Sequence, residues 1–87
     1  MDYKKIYEEI DNMVRKEYPK VFLVKVFSYQ EQIFNKFAEL TIELKGEDYN
    51  KVVYHEPLEE INLEIKEHGF NDYINKLKSF LGKIVSC

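Results

Sequence analysis

The sequence has few of the residues on which most recognisable functional sites depend. It has one cysteine, Cys87, so an internal disulfide is excluded and a reducing, cytoplasmic setting is expected. Its three glycines are isolated from one another, so it has no glycine-rich loop to bind a phosphate group. The longest uninterrupted apolar run, Val21–Val24, is far shorter than the ~20 residues of a membrane-spanning helix. We therefore expect no association with membranes.

Catalytic and metal-binding groups are equally scarce. The soft or borderline metal ligands are His55, His68 and Cys87, and no two of them have the spacing of a zinc site. None of the serines lies in the Gly-x-Ser-x-Gly context of a hydrolase nucleophile. The sequence therefore predicts no metal site, no cofactor and no enzymatic activity.

Negative charge is concentrated in one segment of the chain. Residues 43–72 contain nine carboxylates and three lysines, a net charge of −6 in a chain whose formal net charge is −3. Residues 1–42 are neutral overall, and residues 73–87 contain three lysines and no acid. Such an acidic block repels nucleic acid and lipid head groups and attracts basic protein surfaces.

The first helix has clear signals at both ends. Residues 3–18 place apolar side chains at the i, i+3, i+4 spacing of one helical face. Asp2 is suited to cap the first turn, and Pro19 disfavours helical geometry at the residue before it. Asp11 and Arg15 form an i, i+4 ion pair in the favourable order.

Three strands are predicted after this helix. Residues 20–29 are rich in β-branched and aromatic side chains, and residues 37–45 alternate apolar and polar positions. The alternation places Thr41 and Glu43 on a solvent-exposed face. A turn follows, and residues 52–54 begin the third strand.

Residues 57–69 are compatible with two structures. As a helix, the segment has Pro57 at its first position, acids in its first turn, a lysine and a histidine in its last turn, and Gly69 as its left-handed cap. As an alternative, the alternation of Ile61, Leu63 and Ile65 favours a fourth strand over residues 60–66. We prefer the helix, which leaves Leu63 on the face opposite the other apolar side chains.

The final segment predicts another helix, capped by Asn71 or Asp72 and interrupted near Gly82. Residues 1–87 are thus expected to form a single α+β domain in the order α-β-β-β-α-α. This order resembles that of the double-stranded-RNA-binding domain. That family implies a lysine-rich start to its last helix, whereas Pro57–Glu60 is acidic here, so direct binding of nucleic acid is not expected.

The acidic segment is therefore the predicted interaction site, and its partner is another protein with a basic surface. Small acidic phage inhibitors, including some anti-CRISPR proteins, look similar in size and charge and mimic nucleic acid. The excess of lysine over arginine is typical of AT-rich genomes, including those of phages. A homodimer through Leu63 is a further alternative. The predicted partner-binding residues are Glu47, Asp48, Tyr49, Tyr54, Glu56, Glu59, Glu60, Leu63, Glu64 and Glu67.

Overall fold

The helices and strands occur in the predicted order. The structure is a computed structural model, and it describes residues 2–27 and 38–86. The elements are α1 Tyr3–Glu17, β1 Phe22–Phe27, β2 Glu39–Leu44, β3 Lys51–Pro57, α2 Leu58–His68 and α3 Phe70–Val85. The α-β-β-β-α-α order of an α+β fold is confirmed. The end of the predicted first strand at residues 28–29, the start of the second at residue 37, and Cys87 lie outside the described residues.

The three strands form an antiparallel sheet in the order β1-β2-β3. Val24 of β1 lies opposite Ile42 of β2, and Ile42 lies opposite Tyr54 of β3. The register of β2 and β3 shifts after Ile42, so Val53 is an extra residue on β3 and makes a β-bulge. Strand β3 is an edge of the sheet, and its Tyr54 side chain is half-buried.

The core lies between one face of the sheet and the three helices. Asp2 caps α1 by accepting a hydrogen bond from the Lys4 backbone N–H, as predicted, and the helix then buries its apolar face. The leucine and isoleucine side chains that are fully excluded from solvent come from α1, β2, α2 and α3: Ile6, Ile10, Leu40, Ile42, Leu58, Ile61 and Leu81. Each such side chain contributes about 1.5–3 kcal/mol relative to an exposed one, so packing across all four elements stabilises the fold.

The opposite face of β2 is less exposed than the sequence predicts. Thr41 and Glu43 retain only 7% and 8% of their accessible surface, so the prediction of a solvated face is wrong for both. The reason is that β2 is the central strand, whose side chains are flanked by β1 and β3. Glu43 is compensated there by Lys25, whose Nζ lies 3.2 Å from its Oε1, and by the Asn50 amide, which donates to it at 3.3 Å.

Residues 58–68 form a helix, as preferred for the 57–69 segment, and the alternative of a fourth strand over residues 60–66 is wrong. Pro57 is not the first helical residue as predicted, because it ends β3 and occupies the N-cap position of the helix. The helix separates the alternating apolar residues. Ile61 is fully buried in the core, together with Leu58, whereas Leu63 is 46% exposed. A strand would instead have placed Ile61 and Leu63 on the same face.

Gly69 joins α2 directly to α3. Its N–H donates to the Ile65 carbonyl at 2.8 Å, and its carbonyl accepts from the Tyr73 N–H at 3.2 Å. Its φ of 92° with ψ of 152° lies in a region that glycine alone adopts readily. The positive φ expected of a left-handed cap is present, but the ψ of 152° lies outside the left-handed helical region, so the predicted left-handed cap is wrong. The predicted cap at Asn71 or Asp72 is wrong, because α3 begins at Phe70 without a side-chain cap.

Replacement of Gly69 by alanine is expected to lower the free energy of unfolding by about 1–3 kcal/mol, because a Cβ is strained at this φ. No other atom lies within 4 Å of the added Cβ, so the cost would arise from the backbone alone. Urea titration measures it. Asn75→Ala, at an exposed position of α3, is the control and is expected to change stability by at most about 0.5 kcal/mol. Equal stability of both variants would contradict the strained φ.

Helix α3 continues through Gly82 to Val85, so the predicted interruption near Gly82 is wrong. Gly82 instead leaves room for the side chain of Tyr18, the residue that follows α1. The Tyr18 hydroxyl donates to the Lys78 carbonyl at 2.9 Å, and a Cβ at position 82 would lie 3.2 Å from that hydroxyl oxygen. Gly82 therefore permits the close approach of Tyr18 to α3.

Candidate functional site

The exposed side of α2 carries a row of acidic residues around a leucine. Glu59, Glu60, Leu63 and Glu67 lie on the side of the helix opposite the buried Leu58 and Ile61. We call these four residues the α2 acidic face. Within residues 2–27 and 38–86, neither Glu59 nor Glu60 forms an ion pair with a basic side chain. Their charges are therefore available to an external partner.

Helix stability accounts for only part of this row. Glu59 and Glu60 lie in the first turn of α2, where carboxylates favour the positive end of the helix dipole. Glu67 lies in the last turn, where a negative charge is unfavourable for the same dipole. It is adjacent to His68, whose Nε2 lies 3.7 Å from the Glu67 carboxylate. The helix alone thus gives no reason for a carboxylate at position 67.

The predicted residues in the β2–β3 turn are separated from this face. Glu47, Asp48 and Tyr49 are exposed, and the Tyr49 side chain is 76% accessible. The turn precedes β3, and α2 follows its far end, so the length of a seven-residue strand, about 20 Å, lies between them. The ten predicted residues therefore do not form one continuous surface.

Tyr54 and Glu56 take part in a hydrogen-bonded chain with Tyr73 of α3. The Tyr54 hydroxyl oxygen lies 2.5 Å from Glu56 Oε2 and 2.8 Å from the Tyr73 hydroxyl oxygen. Because the Glu56 carboxylate can only accept, Tyr54 uses its single proton to donate to Glu56. Tyr73 must then donate to Tyr54. Glu56 is consequently directed toward the tyrosines and does not belong to the α2 acidic face.

Both tyrosines in this chain are held in their neutral form. Burial raises the pKa of the Tyr54 hydroxyl well above its usual value, and the neighbouring Tyr73 and Glu56 raise it further. Burial also raises the pKa of Tyr73; the hydrogen bond with Tyr54 lowers it in part, and the negative charges of Glu56 and Glu64 raise it again. Neither hydroxyl can therefore act as a general base near neutral pH, because such a base needs a pKa close to the working pH.

A groove of about 220 Å³ opens beside this chain, between β3, α2 and α3. Aromatic rings and one aliphatic side chain form most of its wall, and a carboxylate and an ammonium group lie among them. The lining residues are Tyr54, Glu64, Tyr73, Lys76, Leu77 and Phe80. Glu64 also lies on α2, between Glu60 and Glu67 along the helix, so the groove is continuous with the α2 acidic face.

Lys76 bridges two carboxylates at the groove. Its Nζ lies 3.6 Å from Glu64 Oε1 and 3.5 Å from Asp72 Oδ2. Both distances are longer than the range of about 2.7–2.9 Å that is typical of a strong charge-assisted hydrogen bond. The lysine therefore partly neutralises Glu64 and Asp72 without being held tightly by either.

No protein-family model, curated protein or solved structure matches this chain. The function must therefore be inferred from the chemistry of the groove and the α2 acidic face. No helix in the described part of the chain is long and apolar enough to span a membrane. The same residues contain no group of three or more His, Cys, Asp or Glu side chains arranged to hold a metal ion.

Sequence reasoning missed the groove residues contributed by α3. In the sequence, Tyr73, Leu77 and Phe80 have the helical spacing that is typical of a core-facing stripe, and Tyr73 and Leu77 are indeed buried. Phe80, however, is 44% exposed, and its ring centroid lies 6.1 Å from that of Tyr54. Lys76 carries no local signal that would distinguish it from any other surface lysine.

Proposed function

We propose that this protein is a non-enzymatic interaction domain that binds a basic surface of another protein through its α2 acidic face. The observation that carries the proposal is the arrangement of Glu59, Glu60 and Glu67 around the exposed Leu63. Protein interfaces commonly place an apolar anchor at the centre of a polar rim. The arrangement provides both parts on one rigid helix.

The charges and the leucine would contribute differently to binding. Carboxylates on the rim steer a basic partner toward the face and mainly raise the association rate at low salt. Leu63 would lose its exposed apolar surface in the complex and thereby slow dissociation. A complex of this kind weakens as salt rises, because salt screens the first contribution.

Binding by a cytoplasmic partner agrees better with the site chemistry than catalysis does. The raised pKa values of Tyr54 and Tyr73 keep both hydroxyls protonated. The proton of each is engaged within the chain that ends at Glu56. Hydroxyls that stay neutral and are hydrogen-bonded internally are not suited to transferring protons, so Tyr54 and Tyr73 favour contact with a partner over catalysis.

The charge of the face also favours a protein partner over nucleic acid. Phosphate groups supply most of the attraction in nucleic-acid binding, and the α2 acidic face would repel them. A protein that binds nucleic acid presents a basic surface of the kind required here. A phage-type inhibitor that occupies such a surface is therefore the narrower form of the proposal.

Charge reversal is expected to abolish most of the binding. The protein is immobilised, its partner is captured from an extract of the host cell, and the affinity for the purified partner is measured. Reversal of Glu59, Glu60 and Glu67 together to lysine is expected to weaken binding by about 100-fold or more at low salt, because three attractive charges become repulsive. Reversal to lysine of two carboxylates in the distant turn, Glu47 and Asp48, is the control and should leave the affinity within about threefold. Unchanged binding by the α2 variant would refute the proposal.

A homodimer through Leu63 is the second candidate, since this side chain is 46% exposed. A twofold interface would place the same patch on both subunits, so the carboxylates around Leu63 would face one another. Their repulsion opposes such a dimer at neutral pH. Sedimentation equilibrium distinguishes the two candidates: a concentration-dependent mass that Leu63→Glu abolishes would favour the dimer.

A further inference from the structure

We propose that the groove beside the α2 acidic face binds an arginine side chain of the partner protein, with its guanidinium group against the aromatic rings and Glu64. This inference rests on the proposed function and names the group that the groove would recognise. It is argued from the size of the groove, its aromatic wall and its charge.

The volume of the groove suits one side chain. Pockets for drug-sized molecules and cofactors usually exceed about 300 Å³. At about 220 Å³ the groove is smaller than that range. A single long side chain that extends from a partner's surface can enter a groove of this size.

Three aromatic rings give the groove an affinity for cations. Tyr54 and Phe80 are inclined at 56° with their centroids 6.1 Å apart, and Tyr73 lines the groove beside them. The faces of such rings carry negative potential and attract a cation within about 6 Å of the centroid. Guanidinium stacks on aromatic faces and is more weakly hydrated than ammonium, so arginine suits this wall better than lysine.

The charges around the groove complement a cation. Three carboxylates lie at the groove or beside it: Glu56, Glu64 and Asp72. Lys76 forms ion pairs with Glu64 and Asp72. The pKa of Tyr73 is raised partly by Glu56 and Glu64, which places its hydroxyl in their negative potential. An arriving guanidinium would enter the same potential and be stabilised by it.

Lys76 holds Glu64 loosely enough to be displaced. The 3.6 Å separation of Lys76 Nζ from Glu64 Oε1 is long, and the Lys76 side chain is more than half exposed. Exposed ion pairs of this kind contribute little. A guanidinium can instead make two parallel hydrogen bonds to one carboxylate, so arginine would replace lysine as the partner of Glu64.

An apolar occupant fits the same groove less well. A leucine or phenylalanine side chain would contact the rings but would also cover part of Glu64. A carboxylate removed from water without a new partner is destabilised. The groove is therefore expected to discriminate by charge as well as by shape.

The direct test is a titration of the wild-type protein with capped tripeptides of the form glycine–X–glycine. Binding is monitored by the NMR chemical shifts of the tyrosine and phenylalanine rings. With arginine at X, saturable shifts of Tyr54, Tyr73 and Phe80 are expected. With citrulline, which has the same shape without the charge, the affinity should be lower by about tenfold. Norleucine at X tests an apolar occupant.

Two variants test the roles of the charged groups. Glu64→Gln should lower the affinity for the arginine peptide by about tenfold, whereas Glu47→Gln, in the distant turn, should leave this affinity unchanged. Lys76→Met should raise the affinity for the arginine peptide several-fold, because Lys76 then no longer competes for Glu64. A gain of affinity cannot result from misfolding.

Equal affinities of the arginine, citrulline and norleucine peptides would overturn the inference, as would arginine binding that Glu64→Gln leaves unchanged. These outcomes are independent of the partner protein. Failure of the α2 charge reversal with intact arginine selectivity would refute the proposed function alone. Loss of selectivity with an intact effect of charge reversal would refute the arginine site alone.

Discussion

Replacement of Ile61 by alanine is expected to lower the free energy of unfolding by about 2–5 kcal/mol, which is a large part of the stability of a domain this small. Ile61 is fully buried in the core, so the truncation removes packing and leaves a cavity. Urea titration followed by circular dichroism measures the change. A loss in this range would confirm that Ile61 is packed in the core.

Leu63→Ala is the matched control for this experiment. The two residues are close in sequence and have side chains of equal size, but Leu63 lies on the α2 acidic face and is 46% exposed. Its truncation is expected to cost about 0.5 kcal/mol or less. Similar costs at both positions would contradict the helix, because a strand would place Ile61 and Leu63 on one face.

Above about pH 10, the stability of the protein is expected to fall steeply, because unfolded tyrosines ionise there. The pKa of Tyr54 and of Tyr73 is raised in the folded state, so both hydroxyls keep their protons when the unfolded chain loses them. The folded state then binds more protons than the unfolded state. The contribution of the two tyrosines to the free energy of unfolding is complete below about pH 10. Above that pH it decreases by about 1.4 kcal/mol per pH unit for each tyrosine.

The Tyr73→Phe variant isolates this effect. Urea titrations at a series of alkaline pH values should show a smaller loss of stability per pH unit than in the wild type, by about 1.4 kcal/mol. Tyr49→Phe is the control, because the 76% exposed Tyr49 side chain should leave the slope unchanged. Identical slopes for all three proteins would show that the Tyr54–Tyr73–Glu56 chain is not protected from solvent.

The parts of the fold that were predictable carry their signals within a few residues. Asp2 and Pro19 bound α1, and the predicted Asp11–Arg15 pair is present at 3.1 Å. Gly69 marks the end of α2 because its positive φ is a local requirement. Residues 58–68 support two structures in the sequence, because the alternation of apolar side chains indicates a strand whereas the signals at the two ends indicate a helix. The packing of Ile61 in the core decides for the helix.

Burial and pairing across the sheet depend on distant residues and were not predictable. Glu43 reads as a solvent-exposed position of an alternating strand, yet its neighbours on β1 and the Asn50 amide enclose it. Glu56 reads as part of an acidic surface, yet it accepts a hydrogen bond from Tyr54. Tyr73 joins that chain from nineteen residues further along the sequence.

The candidate site divides in the same way. The α2 acidic face was predictable once the segment is taken as a helix, because helical spacing alone groups Glu59, Leu63 and Glu67. The groove was not, because β3, α2 and α3 each contribute to its wall. Its aromatic residues are typical of a core, and only the three-dimensional arrangement leaves the ring of Phe80 accessible.

The most direct test of the central claim is a charge-swap experiment with the purified partner. The affinity is measured for wild-type protein and for the Glu59→Lys, Glu60→Lys, Glu67→Lys variant, each against the wild-type partner and a partner whose basic residues are reversed to glutamate. We expect reversal on one protein alone, either this protein or its partner, to weaken binding by about 100-fold. Reversal on both proteins together is expected to recover at least about tenfold of that loss. Additive losses, with no recovery in the double reversal, would contradict binding through the α2 acidic face.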